Sequence, residues 1–107
     1  MNASPVIVHF EFAFPGPFGT ELEAGVRDLA RSINEEPGFI WKVWTEDASA
    51  KQAGGVYLFE DRASADAYIA KHTARLGQLG VSEVRVKMYD VNTGLTRLNH
   101  GPLTPQT

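Results

Sequence analysis

The 107-residue sequence contains no cysteine, which excludes disulfide bonds, zinc–thiolate sites and thiol catalysis. It also has no apolar run close to the roughly 20 residues that a membrane-spanning helix requires. The N-terminal residues 1–5 lack the basic segment and apolar run of a secretion signal. By elimination we expect a cytoplasmic protein without a membrane partner.

The sequence also lacks a concentration of positive charge. Its net charge is −3 and its ten lysines and arginines are scattered, so we expect no nucleic-acid partner. The segment Gly16–Gly19 does not fit the glycine pattern of a dinucleotide loop. His9, Glu11 and His100 make no convincing metal-ligand set. We therefore expect no metal and no cofactor.

Hydrophobic periodicity divides the rest of the chain into six elements. Strands are predicted over Pro5–Phe14, Phe39–Glu46, Gly54–Phe59 and Val81–Asn92. Apolar residues recur at helical spacing from Thr20 to about Glu35, and between Asp61 and Gly80.

Capping and turn residues support these boundaries. Thr20 and Glu23 have the spacing of a capping box, and Asp61 or Ser64 can cap the second helix. The glycines at 54 and 55 indicate a bulge or a close backbone approach.

The element order β-α-β-β-α-β predicts an α+β, ferredoxin-like fold. Its four strands form an antiparallel sheet with both helices on one face. Residues 1–100 then form a single domain, and residues 101–107 a loose, flexible C-terminal tail.

The sheet face opposite the helices is not uniformly polar, which favours a sheet-to-sheet homodimer over a solvated face. Trp44, Ile40 and Tyr89 are its predicted interface residues. Strict alternation places apolar, aromatic and charged residues together on this face: Ile7, His9, Glu11, Ala13, Ile40, Lys42, Trp44, Arg85, Lys87, Tyr89 and Val91.

His72 is the first candidate for catalysis. It falls within the inward stripe of the second helix, four residues after Tyr68 and four before Leu76. An imidazole has an ordinary pKa of about 6.5, which suits removal of a proton near neutral pH. The alternative is a structural histidine whose ring nitrogens are satisfied by a hydroxyl or a carbonyl.

Aromatic residues of the predicted strand Phe39–Glu46 are candidates for lining a ligand pocket. Trp41 is expected on the helix side with Phe39, where together with Met88 it would wall a pocket for a flat aromatic molecule. Trp44 would then lie at the dimer interface. Plain packing explains both tryptophans as well.

Three further residues are candidates for polar contacts with a substrate. Tyr57 and Tyr68 could orient a hydroxyl or a carbonyl group, and Asn34 ends the first helix. Amphipathic burial and helix capping are the competing explanations.

Several ungapped segments resemble the YdhR-type monooxygenases, a branch of the antibiotic-biosynthesis-monooxygenase-like superfamily. The resemblance runs from about Phe10 to Leu98. The segments that carry it are Ser32–Asn34, Glu36–Phe39, Trp41–Glu46, Gly16–Gly19, Ala53–Phe59, Lys71–Leu76 and Asp90–Asn92.

The resemblance implies a dimeric α+β barrel and a cofactor-independent oxygenase acting on small or polycyclic aromatic compounds. Without flavin or metal, the electrons for oxygen must come from an activated phenol, a quinol or an enolisable ketone. The alternative is a protein that binds a small aromatic metabolite without turnover. Haem degradation, known in related barrels, is disfavoured because Pro5–Phe14 offers no asparagine.

Overall fold

A computed structural model describes residues 4–104 and confirms the ferredoxin-like order of elements, with one further helix. The strands run antiparallel in the order β2-β3-β1-β4. None of the helices in this part of the chain is long and apolar enough to cross a membrane. The elements are β1 (Val6–Ala13), α1 (Gly19–Ile33), β2 (Phe39–Asp47), β3 (Gln52–Phe59), α2 (Arg62–Gln78), β4 (Arg85–Asp90) and α3 (Thr93–Leu98).

The core lies between the sheet and the helices α1 and α2. Val6, Val8 and Phe10, alternate residues of β1, are at most 1% exposed because their side chains all point towards the helices. Each large apolar side chain buried in this way contributes roughly 1.5–3 kcal/mol. The core is completed by Ile33, Tyr57, Phe59, Ala65, Tyr68 and Leu76.

The two long helices begin in different ways. As predicted, Asp61 caps α2, and its Oδ1 accepts a hydrogen bond of 2.7 Å from the backbone N–H of Ser64. The predicted capping box of α1 is wrong, because the helix already begins at Gly19. The N–H of Gly19 donates instead to Oε1 of Glu46, at 3.0 Å. Glu46 thus ties the start of α1 to the edge strand β2.

A β-bulge in β2 reverses the faces that strict alternation assigns to this strand. Phe39 pairs with Phe59, but Trp41 already pairs with Leu58, so Ile40 is an extra residue. Phe39 therefore faces the helices and Trp41 faces the opposite side. Beyond the bulge, every side chain of β2 lies on the face opposite to the one predicted.

The C-terminal segment covers part of the outer face, the sheet face opposite the helices. Asn92 caps the unpredicted helix α3, and Trp41 Nε1 donates a 3.0 Å hydrogen bond to the carbonyl oxygen of Pro102. Leu58 is fully buried on this side. Gly101, Pro102 and Leu103 line a shallow space on this face with Trp41 and Leu58. Residues 105–107 of the predicted tail lie outside the described range.

Candidate active site

An apolar cavity of about 120 Å³ lies between α1, α2 and the helix-facing side of the sheet. Its mouth adjoins a wider groove of about 650 Å³ between α1 and the edge strand β2. Leu22, Val26 and Trp44 line both spaces, so the groove leads towards the cavity. Phe10, Phe12 and Phe14 supply much of the aromatic wall of the cavity.

Lys42 extends from β2 into this cavity because the bulge turns it towards the helices. Its Nζ lies 3.3 Å from the centroid of the Trp44 ring and 4.6 Å from that of Tyr57. Burial, and secondarily the charge of Arg75, lower the pKa of Lys42 from 10.5 to about 7. A substantial fraction of Lys42 is therefore a neutral amine at neutral pH.

Gly55 of β3 provides the room that the lysine needs. A Cβ atom on Gly55 would lie 2.6 Å from Cε of Lys42, closer than non-bonded carbon atoms approach, so the lysine side chain would have to shift. The neighbouring Gly54 accommodates the carbonyl oxygen of Phe10, which would lie 2.0 Å from an added Cβ. The close approach predicted for this glycine pair is confirmed, whereas the bulge lies in β2.

His72 lines the same cavity and is 4% exposed, as its place in the inward stripe predicted. Its Nδ1 accepts hydrogen bonds from Nε and Nη2 of Arg75, at 3.2 and 2.9 Å. Because a guanidinium cannot accept, Nδ1 is unprotonated and the ring carries its proton on Nε2. Burial, Lys42 and Arg75, in that order, lower the pKa of His72 to about 3.

This arrangement favours a donor role for His72 over the proton-accepting role predicted from the sequence. Nδ1 is occupied by Arg75, so the atom left for a ligand is the protonated Nε2. A neutral imidazole with so low a pKa is also a weak base at neutral pH.

No carboxylate balances the positive charge at this site. Neither Lys42 nor Arg75 forms an ion pair with an acidic residue within the described range of 4–104. The same range contains no group of three or more histidine, aspartate or glutamate residues that could hold a metal ion. The site therefore combines an apolar wall with basic groups that form no ion pair within this range.

Two buried tyrosines lie beside these groups. The hydroxyl of Tyr68 donates to that of Tyr57 at 3.1 Å, and the Tyr68 ring stacks on His72 with 5.1 Å between ring centroids. Burial raises the pKa of both phenols, so they remain neutral. Tyr57 lines the cavity, whereas Tyr68 belongs to the core behind it.

The other predicted ligand-binding residues are dispersed. Phe39 and Met88 pack against the core, and the thioether of Met88 accepts a hydrogen bond from Arg62 at 3.0 Å. Asn34 lines the groove rather than the cavity. Trp41 faces away from the cavity, which corrects its predicted place on the helix side.

The predicted interface residues are also divided. Tyr89 lies on the outer face opposite Ile7 and is 49% exposed, while Ile40 is the extra residue of the bulge. Trp44 pairs with Gly55 on the helix side and lines the cavity, so its assignment to the outer face is wrong.

These features define an α+β ferredoxin-like domain with a basic, apolar cavity under its helices. A family model described as "Putative mono-oxygenase ydhR" matches residues 7–102, and the chain belongs to this family. No curated protein matches the sequence.

Two solved structures share the fold at low sequence identity. One is a putative antibiotic biosynthesis monooxygenase from Deinococcus radiodurans, with a TM-score of 0.60 at 15% identity over 81% of this chain and 92% of that one. The other is a mutant of SnoaB, a cofactor-independent oxygenase from Streptomyces nogalater. Its TM-score is 0.60 at 14% identity, over 84% of this chain and 95% of that one.

Proposed function

We propose that the protein is a cofactor-independent monooxygenase that oxidises hydroxylated aromatic compounds in the cavity beside Lys42. The observation that carries the proposal is the basic side chain of Lys42, which lines an apolar cavity without an acidic partner in residues 4–104. The guanidinium of Arg75, hydrogen-bonded to the cavity residue His72, adds positive charge beside it. A phenol or quinol bound there can be deprotonated, and its anion is stabilised by the positive charge. Family membership and the oxygenase among the structural relatives support the same class of reaction.

Lys42 acts as the base in this proposal. Its neutral amine takes the proton of the substrate hydroxyl, and the ammonium ion that forms then pairs with the aromatic oxyanion. A phenol has an ordinary pKa of about 10, so proton transfer to an amine of pKa about 7 is unfavourable for separated groups. Pairing of the two charges in a water-poor cavity offsets this difference. His72 donates its Nε2–H to the substrate.

The reaction needs no external reductant. The aromatic anion supplies the electrons to O₂, one oxygen atom becomes a quinone carbonyl and the other leaves as water. A phenol with a free para position thus gives a para-quinone. The hydrogen atoms of its hydroxyl group and its para carbon end in the water molecule. The anion is the reactive form, because it releases an electron more readily than the neutral phenol does.

The cavity limits the size of the group that enters it. An apolar cavity of about 150 Å³ accepts benzene, so a cavity of about 120 Å³ has room for no more than one aromatic ring. The groove of about 650 Å³ has room for the rest of a longer or polycyclic substrate. Arg27 and Arg31 of α1 line this groove.

Oxygen consumption on a panel of phenols, naphthols and quinols tests the proposed function. We expect oxygen uptake, with formation of the quinone, above the rate without protein for at least one class. The protein must be free of metal by elemental analysis, so that trace iron or copper cannot account for the rate. Saturable binding of the same compounds without oxygen uptake would contradict the oxygenase and favour the binding protein.

We further propose that two copies of the chain pair through their outer sheet faces. A row of large side chains crosses this face: Trp41, Leu58, Ile7 and Tyr89 are register neighbours on successive strands. Val43, in the adjacent row, is 54% exposed. Leu58 in this row is already buried, so contact with a second copy would remove chiefly Tyr89, which is 49% exposed, and Val43 from water.

Val43→Glu should raise the dimer dissociation constant by at least about tenfold, because burying an unpaired carboxylate costs several kcal/mol. Sedimentation equilibrium at micromolar concentration measures the effect. Ala67→Glu, on the exposed side of α2, is the matched control and should leave the dimer intact. A wild-type protein that sediments as a monomer would refute the pairing.

A further inference from the structure

We propose that Lys42 is also a nucleophile that forms an imine with one-ring aryl aldehydes and ketones entering the cavity. This activity goes beyond the proposed oxygenation and does not require oxygen. It uses the same amine, so the two proposals need separate tests.

The position of Lys42 distinguishes it from the other lysines. The side chains of Lys51, Lys71 and Lys87 are exposed, and Lys71 forms an ion pair with Glu36 at 2.6 Å. Lys42 lies against Trp44 and Tyr57 inside the cavity. Desolvation in an apolar pocket is a recognised way to activate a lysine towards carbonyl compounds.

The surroundings of the amine favour condensation rather than charge pairing. The titratable and charged groups that face it are Tyr57, His72 and Arg75, and no carboxylate lines the cavity. An acidic partner would hold the ammonium form, which is not a nucleophile. Its absence leaves a neutral amine available at neutral pH, consistent with a pKa of about 7.

The reaction is a condensation without a change in oxidation state. The lone pair of Nζ forms a bond to the carbonyl carbon, and the carbonyl oxygen takes up one of the two protons of the neutral amine to give a carbinolamine. The hydroxyl group then leaves as water with the second amine proton, and the C=N bond forms. His72 Nε2–H can donate to the carbonyl oxygen, because His72 and Lys42 both line the cavity. Apolar walls favour the departure of the water molecule.

Reductive trapping with benzaldehyde tests this inference on the wild-type protein. Sodium cyanoborohydride reduces an imine to a stable benzylamine, and peptide mapping by mass spectrometry then locates each benzyl group. At pH 7 we expect Lys42 to be labelled at least about tenfold faster than the exposed Lys51 or Lys87.

The wild-type experiment needs no variant, because each exposed lysine is a control in the same molecule. Labelling of Lys42 should be half-maximal near pH 7, and phenol, a one-ring compound without a carbonyl group, should protect it by occupying the cavity. Labelling of Lys42 no faster than that of Lys51 would overturn the inference. Trapping of Lys42 without oxygen uptake on any compound of the panel would support the imine and refute the oxygenase. Oxygen uptake without faster labelling of Lys42 would support the oxygenase and refute the imine.

Discussion

Replacing Lys42 with methionine should lower turnover of the phenol substrate by about 10²–10⁴-fold, the usual effect of losing a general base. Methionine keeps an unbranched apolar chain beside Trp44 and removes the amine. The loss should appear in kcat, because the proton transfer and the stabilised anion belong to the reaction rather than to binding of the neutral substrate. Steady-state oxygen uptake measures it.

The pH dependence provides an independent readout of the same residue. If the neutral amine is the base, the wild-type rate should rise as the pH increases through about 7, once the ionisation of the substrate is taken into account. Lys51→Met, in an exposed turn, should retain both the rate and the profile. A folded Lys42→Met protein with wild-type kcat would remove Lys42 from the reaction.

The fold could be predicted from the sequence because its signals are local and repeated. Alternation in Pro5–Phe14 and the stripe of α2 each extend over several residues, so an error at one position does not change the element. The element order then leaves few arrangements of the sheet. The boundaries are less accurate: β4 begins at Arg85 rather than Val81. The helix α3 is not predicted because two leucines within six residues are too few to establish a helical period.

The site could be predicted only in part, because one inserted residue decides which side chains form it. Strict alternation placed Trp41 in the cavity and Trp44 and Lys42 on the outer face, and the extra residue Ile40 exchanges these positions. A bulge has no strong sequence pattern in the strand that contains it. The glycine pair in β3 was the one available signal, since Gly55 leaves space for the Lys42 side chain.

His72 was located correctly because helical spacing is insensitive to events in the sheet. Its partner Arg75 was missed, although it lies three residues further along the same helix. Spacing shows which residues share a face, but not which ring nitrogen a neighbour occupies. The chemistry of the histidine therefore depended on a contact that the pattern does not specify.

Lys42→Met should also stabilise the protein at neutral pH, by about 1–3 kcal/mol in the free energy of unfolding. Lowering a pKa from 10.5 to about 7 corresponds to a cost of at most about 5 kcal/mol, at about 1.4 kcal/mol per unit. The cation–π contact with Trp44 and local relaxation reduce this cost. Urea unfolding of both proteins at one fixed concentration measures the difference.

The greater stability of Lys42→Met should disappear as the pH rises, because the folded and unfolded wild-type chains bind different numbers of protons. Between about pH 7 and 10.5 the unfolded wild-type chain holds the Lys42 proton and the folded chain does not, so wild-type stability increases with pH. Lys42→Met lacks this increase, so the free energies of unfolding of the two proteins should become equal near pH 10. The control variant Lys51→Met should have the same pH dependence of stability as the wild type. An equal stability of wild type and Lys42→Met at pH 7 would mean that Lys42 is charged and well solvated there. Such a lysine could act neither as the proposed base nor as the proposed nucleophile.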